Sequence, residues 1–370
     1  MRIGISTRYW GWIYIFCFSC FPALAQQNGD SLRSESSASD SAGSNHLITL
    51  DVVVADKGGH AITGLQQQDF TLLDNKEPQK IISFHGVEGT AAPDPPVEVI
   101  LLVDEVNASF GSVGTERQEL EKFLRQNGGE LARPTSIVLF ADSGTKVGTT
   151  PSREGKDLIA DLNQNSSLRT IGRSQGVYGA LDRLQMSLRT LGQLADYEAT
   201  RPGRKLVVWI SPGWPLLSGP NIEMDSKGQQ QLFDSVVALS DGLRKARITL
   251  YSVDPLGMAD AAGVRTSFYK EFLKGVTGAN HVQAGNLALQ VLAYQSGGEV
   301  LNSNNDMAGE IATCVMDANA FYVLTFNGEP GDGPNEYHAL EVKIGKPGLA
   351  ARTRTGYYAQ PEHTNHAGGS

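Results

Sequence analysis

A chain of 370 residues that is 40% hydrophobic and 19% charged has enough apolar side chains for a sizeable core, which excludes a largely disordered protein. Its 40 acidic and 31 basic residues give a net charge of −9, and no basic cluster offers the site that nucleic acid or an anionic lipid surface requires. Three cysteines are too few for a disulfide scaffold, and the lack of several long apolar runs argues against a multi-pass membrane protein.

Arg2 and Arg8 precede an apolar, aromatic stretch from Tyr9 to Phe21, followed by Pro22-Ala23-Leu24-Ala25. Charge, apolar core and small residues before Gln26 make residues 1–25 a cleaved export signal, which places the chain in the periplasm or outside the cell. An uncleaved anchor held by Trp10 and Trp12 is the alternative, although the run is short for a span. The residues before Cys20 make a poor lipoprotein site. Cleavage removes Cys17 and Cys20 and leaves Cys314 without an intramolecular partner, so the fold must rest on its core. Cys314 lies in the helical pattern E-I-A-T-C-V-M-D-A and reads as a buried small hydrophobe.

Residues 26–45 are mostly Ser, Gly and Asp and predict a disordered tether. From residue 46 to 92 the rhythm is strand-like, with turns at Asp56-Lys57-Gly58-Gly59 and Asp74-Asn75-Lys76 and one helical turn over Leu65 to Phe70. Neither turn has the alternate carboxylates of a calcium loop. A Pro-rich joint then leads to strand 97–103, V-E-V-I-L-L-V, nearly continuous in apolar residues as a strand buried on both faces must be. The predicted order continues as helix 115–126, strand 136–141, a short strand near Lys146–Thr149, helices 154–163 and 177–194, strand 205–211, helix 229–245, strand 247–253, helix 283–296, strand 299–302 and helix 306–317. Such alternation predicts a mostly parallel α/β sheet covered on both faces over residues 97–317. Strands return at 321–326, 337–344 and 351–358, with residues 359–370 as a disordered tail. Neither strand group is sufficient alone. The expectation is a small all-β sandwich made from both chain ends, 46–92 and 318–358, with the α/β domain inserted between them.

The hairpin V-V-V-A-D-K-G-G-H-A-I-T-G-L-Q-Q-Q-D-F-T-L-L-D-N-K-E-P-Q-K-I-I-S-F, the strand end I-L-L-V-D-E-V-N, A-Y-Q-S-G-G-E-V-L, F-Y-V-L-T-F and R-T-G-Y-Y-A occur in this order over residues 47–358. Together they resemble the VWFA-related domain family, known mainly from Acidobacteria, with a von Willebrand A-like, doubly wound α/β portion. The resemblance implies partner binding through a Mg²⁺ or Mn²⁺ ion at the C-terminal edge of the sheet, where ligand loops diverge. This sequence departs from that pattern. Asp104 stands in the first ligand position, but Val106 and Ala108 replace the two serines, and Asn107 and Ser109 are each one residue out of step. Ser174 and Gln175 stand near the threonine position, and Pro212 where an acid is implied. No metal or other cofactor is therefore expected. Asp104 has a structural reading instead, accepting backbone N–H groups from the turn after its strand, with Asn107 suited to that turn.

Trp214, between prolines on the same edge, is either an exposed partner-binding anchor or a ring folded under its own loop. No Walker loop or H-E-x-x-H occurs, and the seven histidines show no metal-ligand spacing on a helix. These readings predict an exported, non-enzymatic binding protein that uses Asp104, Asn107, Ser109, Ser174, Gln175 and Trp214 to meet an unidentified protein or cell-surface ligand. Alternatives are a structural component of an envelope assembly and an uncharacterised hydrolase.

Overall fold

Fifteen strands among the described residues fall into three sheets. The computed structural model describes residues 47–89, 96–147, 150–164, 176–215, 225–256, 265–302 and 304–362. The expected signal 1–25, the tether 26–45, Ser174, Gln175 and the tail beyond residue 362 lie outside them.

The first elements are β1 (Leu47–Asp56), β2 (Phe70–Asp74), β3 (Glu77–Gln79) and β4 (Ser83–Glu88). The expected turn before β2 is a 3₁₀ helix over Gln67–Asp69. The middle of the chain contains β5 (Val97–Asp104), α1 (Phe110–Leu124), β6 (Glu130–Ala141), β7 (Gly144–Val147), β8 (Ser152–Glu154), α2 (Gly155–Gln164), α3 (Gly176–Ala199) and β9 (Arg204–Ile210). It continues with α4 (Ser226–Lys245), β10 (Ile248–Val253), α5 (Arg265–Phe268), α6 (Leu289–Gln295), β11 (Val300–Leu301) and α7 (Met307–Met316). The chain then returns to strands: β12 (Ala320–Asn327), β13 (Glu336–Ile344), β14 (Leu349–Arg352) and β15 (Gly356–Ala359).

The seven-stranded sheet runs β11-β10-β9-β5-β6-β7, with β8 also on β6. Its pairs from β11 to β6 are parallel, while β7 and β8 add antiparallel edges. Every residue of β5, β9 and β10 is buried, as an inner parallel strand requires. Alternation divides them between two cores: Ile100, Leu102, Val207 and Trp209 face α3, α4 and α6, and Val99, Leu101, Val103, Leu206 and Val208 face α1, α2 and α7. Cys314 lies in the second core, where burial pushes its thiol well above the ordinary range.

The other two sheets are antiparallel and each takes strands from both parts of the chain, in the orders β14-β1-β12-β4 and β15-β13-β2-β3. They share one core in which Leu50 and Val52 of β1, Leu72 of β2, Leu324 and Phe326 of β12 and Tyr357 of β15 meet. On the other face of β1, Val53 joins Val87 and Phe321 against the α/β core.

Several boundaries differ from the sequence reading; β6, for example, begins at Glu130 instead of 136, and α3 runs on to Ala199. Helix α1 starts five residues early because the Ser109 hydroxyl accepts the Ser112 N–H at 3.2 Å and caps it. The helix expected over 283–296 is a 3₁₀ turn, Ala284–Leu287, followed by α6. The strand expected over 351–358 is two strands, because the chain crosses from one antiparallel sheet to the other between Arg352 and Gly356.

Candidate functional site

The C-terminal ends of β5 and β9 meet at Asp104, whose side chain is fully buried. Its Oδ1 accepts the backbone N–H groups of Val106 at 3.1 Å and Asn107 at 2.9 Å. Its Oδ2 accepts from Asn107 Nδ2 at 2.8 Å, Trp209 Nε1 at 2.9 Å and Ser211 Oγ at 2.9 Å. The turn after β5 thus supplies three of its five contacts; Trp209 and Ser211, more than a hundred positions away in sequence, supply the other two. Burial pushes the carboxyl above its ordinary range, opposed by hydrogen bonds from Asn107, Trp209 and Ser211.

Asn107 also donates from Nδ2 to Ser187 Oγ at 2.9 Å, and that hydroxyl donates to the Arg183 carbonyl at 2.8 Å. Asn107 therefore ties the turn after β5 to α3. The sequence reading missed Ser187 because only the fold brings that helix turn to the strand end. Ser109, half-buried, is occupied as the α1 cap, so its hydroxyl has a structural task.

Trp214 is only 2% exposed, which corrects its reading as an exposed anchor. Gly213, at φ +94°, turns the chain back, and its N–H donates to Ser211 Oγ at 3.1 Å. Trp214 then packs edge-on to Trp209, centroids 5.0 Å apart, and Trp209 packs on Phe140 at 5.9 Å. Two large aromatic surfaces are removed from water, so the ring belongs to the core.

Acids collect below this network. Glu105 is buried and paired with Arg117 at 2.5 Å. Glu116 of α1 is 1% exposed, and neither carboxyl oxygen has a hydrogen-bond partner among the described residues. Burial, then the negative charges of Asp104, Glu105 and Asp254, push Glu116 up to about 8. The Ser112 hydroxyl opposes that shift but donates to the Ser109 carbonyl at 2.9 Å. Glu310 of α7, also buried, is pushed up to about 7 by burial, with Asp254 and Asp306 adding to the effect.

A divalent cation does not fit Asp104. Mg²⁺ and Mn²⁺ need oxygen lone pairs, whereas five donors already converge on this carboxylate, about its full acceptor capacity. Val106, Ala108 and Pro212 are buried at the positions where further ligands would stand, and none has a side-chain oxygen. Among the described residues no group of three or more His, Cys, Asp or Glu is arranged to hold a metal ion. Nor is any described helix long and apolar enough to cross a membrane.

No family model and no curated protein matches the chain. Among solved structures it is similar to the pilus adhesin SpaC from Lactobacillus rhamnosus GG, at 8% identity and TM-score 0.36 over 77% of this chain and 48% of that one. The open conformation of SpaC gives 9% identity and TM-score 0.36 over 79% and 48%. The SpRpn10 VWA domain gives 11% identity and TM-score 0.29 over 58% of this chain and 94% of that domain. The chain thus spans about half the length of the adhesins.

Proposed function

We propose that this chain is an exported, non-enzymatic binding protein that presents the C-terminal edge of a von Willebrand A-like sheet to a protein partner without a bridging cation. In this reading the α/β portion is inserted into a β-sandwich built from both chain ends. Export rests on the charge, apolar stretch and small residues of positions 1–25.

One observation supports this function above the others: the Asp104 network ties the turn after β5, the end of β9 and α3 into one preorganised edge. A platform fixed by its own hydrogen bonds needs no metal to order it, and a rigid binding surface loses less entropy on association. Exposed Ser143, beyond the end of β6, and half-buried Leu256, beyond β10, border that edge. The test is capture of partners from native envelope and culture fractions by wild type and by the Ser143→Arg/Leu256→Arg double variant, with and without EDTA. Capture that resists EDTA and falls at least tenfold in the variant is expected. EDTA-sensitive capture, or equal capture by both proteins, contradicts the reading.

A further inference from the structure

At the opposite end of the parallel sheet, the link from β14 to β15 turns Arg354 into the protein. Both flanks are pinned: Thr353 Oγ1 donates to the Asp51 carbonyl at 2.9 Å, and the Thr355 N–H donates to the Gln295 carbonyl at 3.1 Å. Arg354 is 7% exposed, and among the described residues no hydrogen bond or ion pair reaches its guanidinium. It lines a small polar cleft with Arg244, Arg247, Asp51, Thr249 and Ser296. The cleft has about 10 Å³ of free space, room for one water-sized atom.

The charges around it do not balance. Arg247 is paired with Asp51 at 2.5 Å and Arg244 with Asp241 at 3.3 Å, so both nearby carboxylates are engaged. The Nε groups of Arg244 and Arg247 have no partner among the described residues. Burial, then the positive charge of Arg244, push Arg354 down to about 10, which leaves it protonated at neutral pH. Asp51 and Asp241 act in the opposite direction, but three guanidinium groups share these two carboxylates, so the cleft keeps a net positive charge that an anion would relieve.

We propose that this cleft is a binding site for a small inorganic anion, which places one acceptor atom, a halide or one oxygen of phosphate, against the guanidinium of Arg354. The site is distant from Asp104 and is independent of the partner-binding reading. A bound anion would link β1, the end of α4, the start of β10 and the β14–β15 connection, all of which contribute to the cleft wall.

The test is thermal unfolding of the full chain while sodium gluconate is exchanged for chloride, and separately for phosphate, at a constant ionic strength of about 0.1 M, so that general screening is held fixed and the bulky, weakly basic carboxylate of gluconate serves as the reference anion. Wild type should gain on the order of 2 °C on full exchange, as mass action on a native-state site predicts. Arg354→Met, which removes the enclosed charge, should show no such gain. A larger gain with phosphate than with chloride identifies an oxyanion site, and the reverse order a halide site. Excess ³⁵Cl line broadening by wild type, displaced by phosphate if both share the cleft, gives a readout that does not depend on the variant folding. Equal melting in all three salts, the same gain in Arg354→Met, or no saturable ³⁵Cl broadening together with no phosphate response overturns the proposal.

Discussion

Replacing Glu116 by Gln should stabilise the protein at neutral pH, and the gain should depend on pH in a defined way. The folded state holds the Glu116 proton up to about 8, against an ordinary value of 4.5. Between these values the folded chain keeps a proton that the unfolded chain has lost, so raising the pH draws the protein toward the unfolded state. Stability linked to this group is fully present below about 4.5 and is lost as pH rises through about 8. Each pH unit in that window is worth about 1.4 kcal/mol, which gives a loss on the order of 3 kcal/mol at pH 7 and 5 kcal/mol above pH 8. Gln has nearly the shape of the neutral acid and no proton to lose. Urea unfolding followed by tryptophan fluorescence at about pH 5, 7 and 8.5 is the assay, with m compared to confirm that the same transition is observed. Variant and wild type should nearly coincide at the lowest pH and separate by roughly 3 kcal/mol at pH 7. Glu310 has its own window, from 4.5 to about 7, and that slope should remain in the Gln variant. A difference between the two proteins that does not change with pH refutes the reasoning, because Glu116 would then be ionised and satisfied in the fold.

Trp214→Ala should lower the melting temperature by on the order of 10 °C, since a buried Trp-to-Ala change costs about 3–5 kcal/mol; scanning calorimetry checks this, and an unchanged melting temperature would return Trp214 to the surface. Asn107→Ala removes both Nδ2 bonds, to Asp104 and to Ser187. A loss of about 1–3 kcal/mol is expected in urea unfolding, with faster amide exchange in the turn after β5 and the facing turn of α3; unchanged exchange in both segments would count against the clamp.

Much of the fold was legible because period and burial agree in it. The apolar run of β5 is buried on both faces, and the helices around it were found where apolar residues recur along one side. What the sequence did not reveal was set by single side chains or by distant contacts. Ser109 moved the start of α1 by bonding the Ser112 N–H, and the sheet crossing within 351–358 follows from long-range pairing of β14 with β1 and β15 with β13. At the edge, the D-x-x-N spacing disclosed the Asp104 turn but not Trp209, Ser211 or Ser187, which reach the site only through strand pairing and helix packing. The two readings of Trp214 were separated by Gly213, whose positive φ returns the chain to the core. Arg354 gave no local signal at all, because its isolation depends on Asp51 and Asp241 being held by other arginines.

The claim that this edge works without a cation is tested most directly by isothermal calorimetry of Mg²⁺ and Mn²⁺ into the full chain, with Asp104→Ala as the control. Five donors on the Asp104 carboxylate predict no saturable heat from either ion. Micromolar binding that disappears in Asp104→Ala would contradict the account.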